Sequence, residues 1–551
     1  MMRAQEVYIP ESYKDKLYVP KGYLEIPERF NMGVHACDRH VQEGRGDKVA
    51  IYDGNERITF SKLSKLQNKF GNVLNKLGIS KGDSFLIRSV NAVEVFVAIL
   101  GGLKIGAVPI PTNTMFRVRE MEHILNNSDA VMAISTPDLV DAIENVRGKC
   151  PKLKHIVIFG EAKDNQLAYE DLMKDASEEL EACDTKKDDL AFMLYTSGTT
   201  GSPKGVCHAH RWSIGEGDPI AIVAQHLTPN DIVLQPQEIS FMYPFGHTFF
   251  FPFHQGAGIV LYKGRFDAEN VYQHIEKHKV TVFCAVPTLY RMLLALDGVE
   301  KKYDLSSLRI CESSGEPLPK NTFDEWENRF KVNIYDCFGQ TEGHQYIGNV
   351  IGVPIHPGSM GKPFPGIKVG IVDEDQNECP VNEVGDLVID RNHPGLLLEY
   401  RKNPEKMAEV FRGNWYYTGD KAYIDENGYI WHASRSDDLI KSRGYLISPK
   451  EVEEATVEHE AVLDVACVGS PDDTMGQKVK IFVVLKAGYK KTEALGEEIL
   501  AKVRSLIAPY KAPKLIEFMD ELPKTSTGKI KRKDLKELEE KRAKAARNGS
   551  L

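Results

Sequence analysis

The stretch Tyr195-Thr-Ser-Gly-Thr-Thr-Gly-Ser-Pro-Lys-Gly205 is the most informative part of the chain. The apolar residues just before it, Ala191 to Leu194, predict a short buried strand, so the stretch leaves a sheet as a loop. Loops at the ends of strands are where α/β proteins bind ligands. Glycines let backbone N–H groups turn toward an anion, while hydroxyl groups and a lysine add donors and charge. These features predict a phosphate-binding loop with the candidate contacts Thr196, Ser197, Gly198, Thr199, Thr200, Gly201 and Lys204.

The spacing within this loop differs from that of a Walker A loop. A Walker A loop has the form Gly-x4-Gly-Lys-Ser/Thr. Here the residue five after Gly198 is Pro203, and Lys204 is followed by Gly205. The sequence therefore disfavours a nucleoside-triphosphatase of the Walker type.

Length, charge and cysteine content set the broad class of the protein. The chain has 551 residues, of which 42% are hydrophobic and 27% charged, as in ordinary globular proteins. Its net charge of −9 gives no electrostatic footprint for nucleic acid. The nine cysteines include no C-x-x-C pair, and neither a signal peptide nor a run of about 18 apolar residues occurs. We expect a cytoplasmic protein with reduced thiols and no membrane span, either monomeric or homo-oligomeric.

Strand-like and helix-like segments alternate before and after the loop. Residues 49–52 and 57–60 flank Asp53-Gly54 as a β-hairpin, and apolar residues from Leu63 to Leu77 recur with helical spacing. Similar segments follow to residue 158 and again over residues 281–311. This alternation predicts an α/β fold with mainly parallel sheets covered by helices. Short β-rich pieces with many turns after residue 342 predict a small, mostly antiparallel subdomain.

The composition changes near residue 437. Ser448-Pro449 marks a helix start, because proline is favoured in the first turn of a helix. The remaining chain is lysine-rich and ends in a helical pattern that begins near Lys531. We therefore predict a large N-terminal domain at residues 1–436, which includes the β-rich subdomain, and a small α+β domain at residues 437–551.

Residues 239–253 are the most aromatic part of the chain. Phe241, Phe245 and Phe249 are four residues apart, so on a helix they would share one face. A core-packing helix and the wall of an apolar substrate pocket would both show this pattern. Phe241, Tyr243 and Phe245 are therefore candidate pocket residues, and the choice between Phe241 and Tyr243 as the aromatic that lines the pocket stays open.

Five motifs occur in order along the chain: the loop at 195–205, Gly339-Gln-Thr-Glu342, Trp415-Tyr-Tyr-Thr-Gly-Asp420, residues 434–444 and Pro523-Lys-Thr-Ser-Thr-Gly-Lys529. Together they resemble the adenylate-forming acyl-CoA synthetase superfamily over nearly the whole length. Segments from residue 508 onward are most similar to medium-chain acyl-CoA and benzoate-CoA ligases. The resemblance implies an ATP-dependent, AMP-forming acid–thiol ligase that converts an apolar carboxylic acid (medium-chain, aromatic or alicyclic) to its acyl-CoA through an acyl-adenylate.

The resemblance also implies a nucleotide site. A carboxylate can attack the α-phosphorus of ATP without a base, so the enzyme has to neutralise charge and align the groups. Lys204 and the loop would hold the β- and γ-phosphates, Thr341 would contact the α-phosphate, and Glu342 would bind a Mg²⁺ ion that bridges the phosphates. Asp420 and Arg435 would contact the ribose. The adenine pocket and its continuation would comprise Gly315, Glu316, Pro317, Asp336, Cys337, Phe338, Gly339 and Gln340.

The C-terminal motifs imply a two-step mechanism. By resemblance, Lys529 binds the substrate carboxylate and the α-phosphate during adenylation. Transfer to CoA needs this lysine removed, and the family achieves it by rotating the C-terminal domain about a hinge that matches Asp437. Arg443, Gly444 and Tyr445 match the segment that lines the tunnel for the pantetheine arm of CoA.

The residue before Gln-Thr-Glu bears on the size of the acid. Acetate-specific relatives carry tryptophan there, whereas this chain has Gly339. We expect the missing side chain to leave an apolar cavity, so that a ring or a medium-length chain is preferred to acetate by ~0.8 kcal/mol per buried methylene.

An alternative keeps the adenylation step and delivers the acyl group to the phosphopantetheine arm of a carrier protein. The chain contains no fused carrier-like Asp-Ser-Leu segment, which favours CoA as the acceptor, but a separate carrier stays open. ATP, Mg²⁺ and CoA are thus the expected cofactors, and a small carboxylic acid is the expected substrate.

Overall fold

The computed structural model describes residues 19–547 except 197–202, 436–437, 439, 443–444, 473–474, 508, 510 and 525–529. The chain forms two compact units. The first contains the described residues up to Val369 together with Ile389–Tyr416, and the second contains Gly370–Val388 and the described residues from Tyr417 onward. The boundary at residue 437 stays a prediction, because this division groups part of the β-rich subdomain with the C-terminal region.

The elements before the loop follow one another in this order: a π-helical turn at Val34–Asp38, α1 (Arg39–Gln42), β1 (Val49–Asp53), β2 (Glu56–Thr59), α2 (Phe60–Lys76), β3 (Ser84–Arg88), α3 (Val93–Lys104), β4 (Val108–Pro111), α4 (Val118–Ser128), β5 (Met132–Ser135), α5 (Asp141–Glu144), a 3₁₀ turn at Arg147–Lys149, β6 (His155–Ile158), β7 (Leu167–Ala168) and α6 (Tyr169–Lys174).

The central elements are β8 (Leu190–Thr196), β9 (Lys204–Ala209), α7 (Trp212–Gly215), a π-helical segment at Asp218–Ala224, β10 (Ile232–Leu234), α8 (Met242–Phe245), a π-helical segment at Gly246–Phe250, α9 (Phe251–Gln255), β11 (Gly258–Val260), α10 (Ala268–His278), β12 (Val282–Ala285), α11 (Pro287–Leu294), α12 (Val299–Lys302), β13 (Ile310–Ser314), α13 (Lys320–Phe330), β14 (Ile334–Gly339) and β15 (Gln345–Gly348).

The last elements are β16 (Lys362–Pro363), β17 (Val369–Val372), β18 (Gly385–Asp390), β19 (Glu399–Tyr400), α14 (Pro404–Val410), β20 (Phe411–Arg412), β21 (Trp415–Ile424), β22 (Ile430–Arg435), β23 (Ile440–Ser442), β24 (Tyr445–Ile447), α15 (Pro449–Val457), β25 (Val462–Asp472), β26 (Gly476–Leu485), α16 (Glu493–Leu506), β27 (Leu515–Met519) and α17 (Arg532–Arg547).

Two sheets of the first unit carry the predicted strand and helix alternation. One sheet has the order β4-β3-β5-β6-β7 and is parallel throughout. Every residue of β3 is buried, as expected for a parallel strand covered on both faces. The other sheet has the order β16-β15-β14-β13-β12-β10-β11-β1-β2 and is parallel from β14 to β1, with antiparallel strands at both edges. The predicted α/β fold with mainly parallel, helix-covered sheets is therefore confirmed.

The helix that follows the predicted hairpin illustrates how the sequence pattern produces the core. Thr59 caps α2, because its side chain accepts a hydrogen bond from the N–H of Lys62. Leu63, Phe70 and Leu74 then recur on one face of the helix, and all three are fully buried.

The second unit is a mixture of strands and helices. A sheet with the order β24-β23-β26-β25 is joined at β26 by the parallel strand β27. Apolar residues of α15 and α16, including Val452, Ile499 and Val503, share one buried cluster with this sheet. Ser448 precedes α15 and Pro449 is its first residue, as the sequence predicts. The small α+β domain is thereby confirmed as a fold.

None of the helices in the described ranges combines the length and the apolar character that crossing a bilayer requires.

Candidate active site

The predicted phosphate loop connects two antiparallel strands. In the register of β8 and β9, Thr196 pairs with Lys204 and Tyr195 pairs with Gly205. A Walker A loop leads into a helix instead, so the strand after the loop agrees with the exclusion made from the spacing. A Cβ on Gly205 would lie 2.8 Å from the ring of Tyr195, which explains why this position has no side chain. Ser197, Gly198, Thr199, Thr200 and Gly201 lie outside the described residues.

The Gln340–Glu342 segment is held against the strand that follows the phosphate loop. It connects β14 to β15, and the ring of His208 in β9 donates from Nε2 to the carbonyl oxygen of Thr341 at 2.8 Å. Strand β19 pairs antiparallel with β9, and the N–H of Arg401 just after it donates to the carbonyl oxygen of Gly205 at 2.7 Å. The structure thus brings Lys204 at the start of β9 and the Gln340–Glu342 segment into one region of the first unit.

Two tyrosines orient the polar side chains of this segment. The hydroxyl of Tyr400 donates to Oε1 of Glu342 at 2.6 Å, and the hydroxyl of Tyr416 donates to Oε1 of Gln340 at 2.9 Å. Burial, followed by the charge of Glu342, raises the pKa of Tyr400 well above its ordinary value. The Tyr400 hydroxyl therefore keeps its proton and stays a donor at physiological pH. No local pattern in the sequence points to this pair, because Tyr400 lies in β19, 58 positions after Glu342.

The predicted adenine residues lie at adjacent strand ends. Gly315, Glu316 and Pro317 follow β13, and Asp336 and Cys337 lie in β14, whose register places Ser314 beside Cys337. The hydroxyl of Thr288 donates to Oε2 of Glu316 at 2.8 Å. Carboxyl ends of neighbouring parallel strands form binding crevices in α/β folds. The geometry fits an adenine pocket, and that role stays a prediction.

The predicted ribose residues are neighbours in the second unit. Asp420 in β21 pairs with Arg435 in β22, and Asp420 is buried. His432, which pairs with Ala422 in the same two strands, places Nε2 3.0 Å from Oδ1 of Asp420. The side chain of Arg435 lies outside the described part of the chain.

Several predicted residues of the C-terminal motifs are outside the described residues, namely Asp437, Arg443, Gly444 and Lys529. Tyr445 begins β24, but its side chain is not described. Their roles stay predictions.

The aromatic segment does not form the single helical face that its spacing predicts. Phe241 precedes α8, and a π-helical segment at Gly246–Phe250 interrupts the α-helical repeat between α8 and α9. Phe245 is fully buried against Phe192, with ring centroids 4.6 Å apart, so it packs into the core. Tyr243 points elsewhere: its hydroxyl donates to the carbonyl oxygen of Glu312 at 3.2 Å.

The ring of Tyr243 lies near His344, two residues after the Gln340–Glu342 segment. The ring centroid is 4.6 Å from that of His247 and 6.3 Å from that of His344. His344 in turn contacts Phe251 at 4.6 Å and Trp212 at 5.9 Å. Between the two candidate aromatics, these contacts favour Tyr243 as a pocket residue.

The apolar cavity predicted beside Gly339 is occupied by the backbone of His344 and Gln345. A Cβ on Gly339 would lie 1.4 Å from the carbonyl oxygen of His344 and 2.7 Å from Cα of Gln345. The cause is a register shift between Phe338 and Gly339, which brings β15 against this position. The expectation that a missing side chain leaves a cavity here is therefore wrong, and a tryptophan at 339 would displace backbone instead of filling a pocket.

The close approach at Gly339 leads to a stability prediction. We expect Gly339→Ala to lower the free energy of unfolding by more than about 3 kcal/mol, because the β14–β15 backbone must move to admit the methyl group. Gly148→Ala is the matched control, since a Cβ there meets no atom within 4 Å. Denaturant unfolding of the two variants and the parent measures the difference. Equal stability of the two variants would contradict the prediction.

His208 makes stability depend on pH. Burial lowers the pKa of His208 to about 3 from an ordinary value of 6.5, and the bond to Thr341 only partly opposes this. The folded chain therefore keeps His208 neutral while the unfolded chain takes up a proton below pH 6.5. The contribution of neutral His208 to the free energy of unfolding is fully present above pH 6.5. It is lost progressively as the pH falls from 6.5 toward 3. By pH 4.5 the free energy of unfolding has fallen by about 3 kcal/mol.

The variant His208→Gln tests this pH dependence, because it keeps a donor for Thr341 but does not titrate. We expect its free energy of unfolding to fall less than that of the parent between pH 6.5 and 4.5. Parallel denaturation curves at several pH values measure the slopes. Identical slopes would show that His208 does not contribute.

Comparisons with known proteins identify the family. Residues 37–400 match the family model described as AMP-binding enzyme, and residues 451–529 match the model of the AMP-binding enzyme C-terminal domain. The chain therefore belongs to the AMP-binding enzyme family, which confirms the predicted adenylate-forming superfamily. The protein is an AMP-forming acid–CoA ligase, which uses ATP and CoA and forms the thioester through an adenylate.

The relatives of this chain are named for different acid substrates. Benzoate–CoA ligase of Thauera aromatica is 38% identical over 512 residues, covering 92% of this chain and 96% of that protein. Acetyl-coenzyme A synthetase of Bacillus subtilis is 37% identical over 519 residues, covering 92% and 90%. Among solved structures, an anthranilate CoA ligase in complex with anthranoyl-AMP superposes with a TM-score of 0.89 at 35% identity, covering 94% of this chain and 99% of that one.

Proposed function

We propose that this ligase activates a carboxylic acid with an apolar body, either aromatic, alicyclic or medium-chain, and transfers the acyl group to free CoA. The observation that carries the proposal is the half-buried ring of Tyr243, which packs on His247 and lies 6.3 Å from His344, two residues after the Gln340–Glu342 segment. Aromatic walls favour ligands with apolar area, whereas acetate has almost none to bury. Relatives named for benzoate and for anthranilate support a ring. The relative named for acetyl-CoA is nearly as similar, so acetate belongs in the test.

In the proposed adenylation step, the chain binds ATP and aligns it with the acid. Lys204 and the loop before it hold the β- and γ-phosphates, Thr341 contacts the α-phosphate, and Asp420 with Arg435 binds the ribose. The oxygen of the acid's carboxylate attacks the α-phosphorus and pyrophosphate leaves. Lys529 neutralises the charge that develops at the α-phosphate.

Glu342 fits the requirements of a Mg²⁺ ligand. Mg²⁺ prefers hard oxygen donors and is usually held by one or two carboxylates together with substrate phosphates. Tyr400 bonds one oxygen of Glu342 and fixes its orientation, and we propose that the other oxygen serves the ion. When bound, Mg²⁺ supplies charge neutralisation at the phosphates.

The proposed thioester step uses the C-terminal domain at residues 437–551 in a second orientation. Rotation at Asp437 withdraws Lys529, and Arg443, Gly444 and Tyr445 admit the pantetheine arm. The thiol of CoA then attacks the acyl carbon, and AMP leaves with the former carboxylate oxygen.

Release of pyrophosphate across a panel of acids, with and without CoA, tests the proposal. We expect benzoate, cyclohexanecarboxylate or octanoate to give kcat/KM at least about tenfold above acetate, as two or more buried methylenes allow. A preference for acetate would reject the acid class. Adenylate that accumulates without thioester when CoA is added would instead favour a carrier protein as the acyl acceptor.

A further inference from the structure

We propose that the acid also carries a hydrogen-bond donor, a hydroxyl or amino group remote from its carboxylate, and that a buried polar cluster beside Tyr243 recognises it. The cluster consists of Gln225, His247, Cys284, Glu312 and Gln345. This inference rests on the proposed function and narrows its substrate class.

Glu312 is the centre of the cluster. It lies in β13 and is 1% exposed. Nε2 of Gln225 donates to its Oε2 at 2.6 Å, and Nε2 of Gln345 donates to its Oε1 at 2.8 Å. Nε2 of His247 lies 2.9 Å from the same Oε1. Burial of a carboxyl group costs free energy unless the group is hydrogen-bonded, and these neighbours meet that need for Glu312.

Two buried acceptors of the cluster have no donor in the described ranges. Oε1 of Gln225 and Oε1 of Gln345 are buried and accept no hydrogen bond from any group in the described ranges. Turning either amide over would place its oxygen against an oxygen of Glu312, so the donors must face the carboxyl group. Unsatisfied buried acceptors in a native protein require an explanation, and a ligand that brings an O–H or N–H group provides one.

The position of the cluster connects it to the proposed acyl site. Tyr243, the favoured pocket aromatic, donates to the carbonyl oxygen of Glu312 and packs its ring on His247. Gln345 follows His344 at the start of β15, so it adjoins the Gln340–Glu342 segment. His247 lies within the π-helical segment Gly246–Phe250, and Gln225 directly follows the π-helical segment at Asp218–Ala224. Such π-helical turns recur at functional sites.

Three residues of the cluster could instead bind a metal ion. Ligand atoms of His247, Cys284 and Glu312 all lie within 4.8 Å of one another. However, Nε2 of Gln225 stands between them, 3.0 Å from Nδ1 of His247, 3.5 Å from Sγ of Cys284 and 2.6 Å from Oε2 of Glu312. An N–H donor in that position repels a cation, so the arrangement favours an organic donor group.

Matched pairs of acids test the proposal in the wild-type enzyme. Benzoate is compared with its 3- and 4-hydroxy and 3- and 4-amino derivatives, and hexanoate with 6-hydroxyhexanoate, by pyrophosphate release. We expect one donor-bearing acid to exceed its plain partner by at least about tenfold in kcat/KM, since a site built for a substrate O–H or N–H rejects analogues that lack it. Hydroxy and amino derivatives distinguish the two kinds of donor. A plain acid that equals or exceeds every derivative would overturn the proposal, whereas no adenylation of any acid would reject the proposed function itself.

Variants assign the preference to the cluster. Glu312→Gln, which keeps the shape, should reduce the ratio between the donor-bearing and the plain acid by at least about tenfold. Gln345→Met provides a second variant if the first does not fold. Gln67→Met is the matched control, because it removes another buried amide that donates to a carboxyl group, that of Asp38. An unchanged ratio in both cluster variants, or stoichiometric metal found in the purified enzyme, would contradict the proposal.

Discussion

Replacement of Glu342 by glutamine is expected to slow acyl-adenylate formation by about 10³-fold, which corresponds to ~4 kcal/mol in the activation free energy. The amide keeps the size of the side chain and can still accept from Tyr400, so the segment should stay in place. It removes the negative charge that we propose binds Mg²⁺, and the phosphates lose part of their neutralisation. Exchange of labelled pyrophosphate into ATP, measured over a range of Mg²⁺ concentrations, reports this step. Unchanged exchange at low Mg²⁺ would remove Glu342 from the metal site.

The variant Tyr400→Phe tests how much the orientation of Glu342 contributes, because it leaves the negative charge of Glu342 unchanged. This variant loses one hydrogen bond to the carboxyl group, worth about 1.5–3 kcal/mol. We expect a smaller loss of rate than in Glu342→Gln, together with a higher Mg²⁺ concentration for half-maximal exchange. If Tyr400→Phe lowered stability without moving the Mg²⁺ dependence, Tyr400 would have only a structural role.

Lys529→Ala is expected to reduce adenylation by about 10²- to 10³-fold, the usual effect of removing one donor from a developing charge. Thioester formation from supplied acyl-adenylate should change little, because we propose that Lys529 acts only in the first step. The two half-reactions are measured separately, by pyrophosphate exchange and by conversion of acyl-adenylate with CoA. Lys531→Ala, two positions away, is the control for loss of a positive charge. Equal losses in both half-reactions would reject the division of roles.

Local patterns in the sequence predicted much of the fold. The apolar spacing from Leu63 to Leu77 identified α2, and Asp53-Gly54 identified the hairpin of β1 and β2. These features depend on neighbours within a few residues, and the same holds for the strand before the phosphate loop. The ordered motifs then supplied the family, because their sequence order is far more specific than any one of them.

Contacts between distant residues could not be predicted in the same way. Nothing near Glu342 in the sequence points to Tyr400, and nothing near Thr341 points to His208, because both partners come from the β9–β19 pairing. The polar cluster around Glu312 was missed because its members come from five separate segments. The absence of a side chain at Gly339 is plain from the sequence, but the direction in which a side chain there would point is not. A β-bulge directs that position toward the backbone of β15.

The crowding at Gly339 limits how the substrate range of this lineage can evolve. A tryptophan at this position would require a compensating shift of the His344 backbone, so the two changes are epistatic and neither is a useful single step. We propose that Tyr243, Glu312 and Gln345 act on the acyl pocket through their side chains alone, so one nucleotide change at a time can alter them. Selection for new acids should therefore act first on these positions, and directed-evolution libraries should vary them before residue 339.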